Sequence, residues 1–523
     1  MTSIPPPADQ RRTQRDQRDH ALTRRALLVV GAGAGSAAAV GPLTQGISPA
    51  AIAAGSGAPT TADLRELDAS ISGSVVLPTA SGYLSALQLF DPIYDGMRPL
   101  AVVRPANTAD VATTVRFASA FATPFAPRSG GHSYVGASGG DQGIQLDLRR
   151  LNSVTYNTSN RTVVVGAGAG LYSLHAALEP FARTVPTGTC ATVGVSGLTL
   201  GGGIGFEHRR YGLTCDVLQA VRVVLANGSR VRASATQNAD LFWACRGGGG
   251  GNFGIVTEYT FATRAATPVG YAKLRWTDAD MERVIAGWQQ RIATAPRTSF
   301  PVLHLVTGSG QVTPRIDVRT LGTSPTAEVD ALIAAVGRVP ATTTTASYTH
   351  LQAVQQVAGC TGYTDSQCQL QPSGLLTRKV YLSGSDILGR ALTGAEISAI
   401  SGYLRAAART NSSASVQLEP FGGALASQAV ADTAFPWRTA IASVQWKVDF
   451  SSPPTETTST YDWISTGHTK FGSASIGAYI NYLEPSRPMS AYYGPNYSRL
   501  RQLRTKYDPN GLFHGSYVIP AAL

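Results

Sequence analysis

The sequence predicts an α+β protein of two domains, and three observations carry that prediction. From about residue 61 to 265, short β-rich runs alternate with glycine loops and two helical stretches. From about 270 to 470, longer alternating strands are interspersed with helices, the pattern of an antiparallel sheet backed by helices. The chain is 523 residues long, 43% hydrophobic and 14% charged, with 55 glycines spread along it. That is enough apolar mass for two cores, and it marks a loop-rich globular enzyme, not a disordered or fibrous chain.

Taken in order, residues 1–58 read as a disordered leader. Its "VVGAGAGSAAAVG" imitates a dinucleotide fingerprint but lacks the flanking strand, the helix and the later acidic residue. Arg24 and Arg25 before a short apolar run instead have the architecture of a cleaved export signal, and "TRRALL" resembles a twin-arginine signal. That resemblance implies a bacterial protein handed folded to the twin-arginine export machinery, cofactor inside, and secreted or otherwise extracytoplasmic. Ala26–Val40 is too short and glycine-rich for a stable membrane span. The leader's six arginines and three aspartates supply +3 of the +11 net charge, leaving +8 on the remainder. No basic block with interleaved aromatics accompanies that charge, so no nucleic-acid partner is expected.

Residues 59–265 open with "LAVVRPA" and "TVVVGAGA" as strands, while "DVATTVRFASAFA" and "LYSLHAALEPF" have helical spacing. "VLQAVRVVLANGSRVRA" reads as a β-hairpin turning at Asn227-Gly228. In residues 266–473, "PVLHLVTG", "RIDVRTLG" and "SVQWKVDF" alternate as strands, with helices near 278–292, 325–337, 395–409 and 458–470. Residues 474–523 return to tyrosine- and glycine-rich loops that are expected to rejoin the first domain. Of five cysteines, Cys360 and Cys368 flank a short polar loop and are the expected disulfide. An odd count leaves a thiol over, and no spacing fits a metal site, so no metal is expected.

Two segments stand out chemically. "RSGGHSYVG" sets His132 behind a glycine pair whose backbone N–H groups are unshielded, as in a phosphate cradle. Alone, it leaves His132 open as metal ligand, general base, buried ring or covalent tether. "PTGTCATVGVSGLTLGGGIGFEHRRYGLTCDVL" holds Cys190 in a loop of small residues rather than in a periodic apolar run, which weakens a core role for its thiol.

Together with "DLFWACRGGGGGNFGIVTEY" and "YGPNYSRLRQLRTKYDPNGLFHGSYVIP", these segments strongly resemble the berberine-bridge-enzyme-like oxidases of the vanillyl-alcohol oxidase and p-cresol methylhydroxylase flavoprotein superfamily. The resemblance spans about residue 95 to the C-terminus. It implies a p-cresol-methylhydroxylase-type FAD-binding domain at 59–265, a substrate domain at 266–473 and a C-terminal return at 474–523. It also implies FAD bound bicovalently, through His132 at the 8α-methyl and Cys190 at C6. Arg128, Ser129, Gly130, Gly131, Ser133 and Gly136 would then wrap the cofactor with Val193, Gly194, Ser196, Gly197, Gly202, Gly203 and Gly205. Gly254, Ile255, Val256, Tyr493 and Asn496 would hold the remainder.

The resemblance further implies that Tyr482 of "GAYINYLE" is the base, beside Tyr479. Gln417 and Glu419 resemble a Q-x-D pair of sugar oxidases, with glutamate in place of aspartate, and Tyr134 matches a substrate-facing aromatic. A free phenol has a pKa near 10, so the reading expects that of Tyr482 to be shifted downward. Val193 matches an oxygen-gate position at which valine accompanies oxidases. The expected function is an exported, monomeric oxidase of an alcohol or hemiacetal in a sugar, oligosaccharide or secondary metabolite, making H2O2 from O2. The alternatives are a flavin dehydrogenase with another acceptor and a ligand-sequestering flavoprotein without turnover.

Overall fold

The computed structural model describes residues 57–410, 413–513 and 517–522; the export-signal reading at Arg24 and Arg25 lies outside the described residues. The strand Ala101–Arg104 is buried along its apolar run and stops where Pro105 has no N–H to give the ladder. It pairs in parallel with Ile144–Asp147, which pairs in parallel with Phe125–Arg128. The crossover is the helix Thr108–Ala120, whose cap Asn107 accepts from the N–H groups of Ala109 and Asp110. Five antiparallel strands form the next sheet, including the hairpin Leu218–Val224 and Arg230–Ser234. Its turn is at Asn227-Gly228, with Gly228 at φ 78°.

The ends of the parallel strands are tied by charge. Asp147 and Arg128 are buried at 2.5 Å, and Arg149 and Arg104 reach the same carboxylate at 2.9 and 3.5 Å. Burial opposes the charge on Asp147, but the Arg128 and Arg149 guanidiniums outweigh it and hold the carboxyl well below its usual range.

The third layer is an eight-stranded sheet. Its central strands Ser299–Gly308, Gln311–Leu321, Ala414–Pro420, Ala442–Phe450 and Val380–Leu388 are antiparallel throughout. Alternation divides its faces: Val416, Leu418, Val444 and Trp446 join one apolar core with Trp288, Leu404 and Ile464. Those last three ride on the helices Met281–Thr294, Gly394–Arg409 and Thr458–His468. Gln417, Glu419 and Gln445, one residue out of phase, take the opposite face. A second core gathers residues between Leu64 and Phe261 together with Ala478, Tyr493, Leu500, Phe513 and Ile519 from the chain's end. Cys360 and Cys368 form a disulfide, and Cys190, Cys215 and Cys245 are free.

Replacing Asp147 by alanine strands the buried Arg128 and is expected to cost about 3–5 kcal/mol in chemical denaturation. Replacing Arg222, whose pair with Glu258 lies 62% and 35% exposed, is expected to cost under about 1 kcal/mol.

Candidate active site

Two glycine loops build the floor of the site. The strand Phe125–Arg128 delivers Ser129–Gly131 against the turn ahead of the helix Val195–Gly201. A Cβ on Gly130 would lie 2.2 Å from the Gly194 nitrogen, and one on Gly194 would lie 2.1 Å from Ser129 Oγ. Only glycine permits that approach. Ser129 and Ser196 each donate to the Ala167 carbonyl at 2.6 Å, pinning both loops to one acceptor.

His132 follows directly. Its Nε2 lies 2.9 Å from Thr192 Oγ1, and its ring stacks on Phe90 at 3.9 Å and 18°. Burial pulls its pKa down to about 3, so the imidazole is neutral at physiological pH. The exposed Cys190 thiol lines the same cavity, of about 330 Å³.

That cavity fits the implied flavin. Its walls are bare backbone at Gly130, Gly131, Gly194, Gly197, Gly249, Gly250, Gly251 and Gly254, able to face a pyrophosphate closely. Apolar Leu198, Ile255 and Val256 suit ring surfaces, and a neutral imidazole and a free thiol line the same cavity.

Another part of the lining is aromatic. Tyr482 Oη donates to Glu419 Oε2 at 3.3 Å, and Gln417 Nε2 donates to Glu419 Oε1 at 3.1 Å. Tyr134 stacks on Tyr482 at 5.4 Å and 6°, and its hydroxyl accepts from Gln445 Nε2 at 2.7 Å. Tyr479 packs edge-on to Tyr482 at 5.0 Å, and its hydroxyl accepts from Gly203 N and Asn481 Nδ2, both at 2.9 Å. Burial, reinforced by Glu419, raises the Tyr482 phenol well above its ordinary value, the reverse of the downward shift the sequence reading expects. Burial also pushes the Glu419 carboxyl up to about 7.

Of the residues singled out in sequence, Ser133, Val193, Tyr493 and those named in the walls line the cavity, and Gln417 and Glu419 stand behind Tyr482. Six lie away from it. Arg128 points to Asp147, and Asn496 donates to the carbonyls of Val430, Thr433 and Ala434. Gly136 abuts the Tyr94 ring, and Gly205 abuts the Thr187 carbonyl. Gly202 and Gly203 serve a tight backbone turn at φ 129° and 92°. Sequence reasoning missed Thr192, Tyr381 and Gln445, which reach the site only through tertiary register.

It also missed the support beneath Tyr482. Ser385 Oγ donates to the Tyr482 carbonyl at 3.2 Å and accepts from Tyr479 N at 3.0 Å. Next to it, Asp386 binds His468 Nδ1 at 2.6 Å, and His468 Nε2 reaches Glu484 at 2.9 Å. Burial opposes the charge on His468, but its two carboxylate partners prevail and raise it to about 9. Two fully buried acids thus share His468, one of them Glu484 at the end of the 479–484 segment.

Residues 99–234 match the family model of the FAD binding domain, and residues 478–520 that of berberine and berberine-like proteins. The chain is 31% identical over 428 residues to the uncharacterized FAD-linked oxidoreductase YgaK of Bacillus subtilis, covering 81% of this chain and 91% of that one. It is 40% identical over 196 residues to the xylooligosaccharide oxidase of Thermothelomyces thermophilus, covering 36% and 39%. The solved BBE-like 1 of Physcomitrella patens superposes with a TM-score of 0.81 at 28% identity, over 88% of this chain and 99% of that one.

Gly130→Ala is expected to purify with little flavin, read as the flavin-to-protein absorbance ratio. His468 is raised above its unfolded value, so its stabilisation is complete below about pH 6.5 and lost as pH rises through about 9. Thermal unfolding of the wild type should weaken across that window, and that of His468→Gln should lack this alkaline decline.

Proposed function

Since the chain belongs to the berberine-bridge-enzyme-like FAD-linked oxidoreductases, we propose that it is an exported oxidase of an alcohol or hemiacetal in a sugar, oligosaccharide or secondary metabolite, with O2 as acceptor. The observation that carries this reading is the Tyr482–Glu419 contact on the wall of a glycine-lined cavity that also presents His132 and Cys190. Bound FAD would supply the hydride acceptor and the redox link to O2.

His132 and Cys190 Sγ are the proposed tethers; burial keeps the imidazole neutral, and Thr192 and Phe90 orient it for its part. Tyr482 Oη takes the proton of the substrate hydroxyl while releasing its own to Glu419 Oε2. Burial makes a free phenolate costly, so the two transfers are coupled through a carboxylate matched to neutral pH. Gln417 fixes the other carboxylate oxygen, and Tyr134 fixes the plane of the Tyr482 ring. Tyr479 is placed to position and not to accept, because Gly203 and Asn481 already donate to its oxygen. Val193 is the small wall residue that would admit O2. The name of the xylooligosaccharide oxidase relative supports a saccharide among the substrate classes.

Tyr482→Phe is expected to slow flavin reduction about 10²–10⁴-fold in anaerobic stopped flow. Glu419 accepts protons only as the carboxylate, so reduction should accelerate as pH rises through about 7; Glu419→Gln should abolish that limb. His132→Ala and Cys190→Ser should each keep flavin through acid precipitation, and the double variant should release it. Peroxide formed in air at one equivalent per substrate oxidised checks the acceptor.

A further inference from the structure

Cross-strand register lays one row of side chains away from the reacting end. Gln445 is opposite Gln417, Gln417 opposite His304, His304 opposite Arg315, and Arg315 opposite Arg275. Directly opposed residues share a sheet face, so the row continues the surface that carries Glu419. At the spacing of neighbouring strands, His304 lies about 5 Å and Arg315 about 10 Å from Gln417.

The charge around Arg315 does not balance. Lys273 is opposite Asp317, and Arg319 is opposite both Phe300 and Tyr271. Asp317 meets Arg315 at 3.1 Å and His304 at 3.4 Å. Arg319 donates to Gln356 at 2.8 Å and lies 5.3 Å over the Tyr271 ring. Among the described residues, Asp317 is the single carboxylate paired with any of Lys273, Arg315 and Arg319. His304 adds no charge, since burial and these three cations hold it well below its ordinary value. Arg315 Nε is buried without a hydrogen-bond partner, although the side chain is 26% exposed. An excess of cations beside a half-open surface is costly unless an anion meets it.

We propose that the substrate carries a carboxylate that lies about 10 Å along the strand row from Gln417 when its other end stands at Tyr482, and that Arg315, flanked by Lys273 and Arg319, receives it. The proposal rests on the reading of Tyr482 and Glu419 as the reacting end. A guanidinium that is 26% exposed and holds a single carboxylate partner suits a second carboxylate, to which its exposed edge can donate. Asp317 then acts as a positioning residue that keeps Arg315 in the row. A disaccharide fits if its reacting ring stands at Tyr482 and its second ring bears the acid.

The test is calorimetric titration of the holoenzyme with two disaccharides, cellobiose and the acid that has a glucuronosyl unit as its second ring. The acid is expected to bind about 10–100-fold more tightly, with an advantage that shrinks as salt rises. In Arg315→Gln the ratio should fall toward one, and Lys273→Gln, at a half-buried position, provides the same reading if the arginine variant does not fold. Failure of the wild type to bind the acid more tightly than cellobiose overturns the proposal. Turnover with peroxide is followed in parallel. Tighter acid binding without flavin bleaching by either sugar keeps this proposal and counts against the oxidase reading, whereas equal binding with turnover does the reverse.

Discussion

The contact on which the site depends is between two backbones. Gly130 and Gly194 leave no room for a methyl group between the loop that presents His132 and the loop that presents Cys190. Their closeness brings an imidazole and a thiol to one cavity although they belong to separate strand-and-helix units. Ala167, accepting from Ser129 and Ser196, holds both loops at once, so a shift in either is transmitted to the other. The Asp147 cluster anchors the strand end from which the first loop leaves.

The aromatic part of the lining rests on a different constraint, the two-residue period of the large sheet. Val416, Leu418, Val444 and Trp446 are committed to the helices, and that commitment fixes the opposite orientation for Gln417, Glu419 and Gln445. A register slip of one residue would bury the acid among helices and turn tryptophan into the site. The apolar core is therefore what aims Glu419 at Tyr482. The braced segment behind Tyr482 does the rest, with Ser385 holding its backbone and Asp386 and Glu484 sharing the protonated His468.

Local signals made much of this readable. The Asn-Gly turn, the helices of the second half and the alternating strand near 442–450 announce themselves through spacing and turn chemistry. The glycine runs with His132 and Cys190 did so as well, because close backbone approach leaves a mark in composition. What was not readable depends on partners distant in sequence. Arg128 looks like part of a cradle but is drawn to a carboxylate nineteen positions on. Asn496 looks like a ligand holder but ties down the 430–434 loop. Thr192 and Gln445 carry no motif at all, and the upward shift of the Tyr482 phenol follows from burial that only the assembled walls create.

The apolar core around the glycine loops is completed by the last forty or so residues of the chain, which also bring Tyr479, Tyr482, Tyr493 and Phe513 to the cavity. A polypeptide leaving the ribosome thus exposes the His132 and Cys190 loops long before the segment that closes over them has been synthesised. Such distant pairing in sequence is slow to form. The cavity is consequently enclosed only once that segment has been made, and a truncated or stalled chain would carry His132 and Cys190 without the residues that close over them.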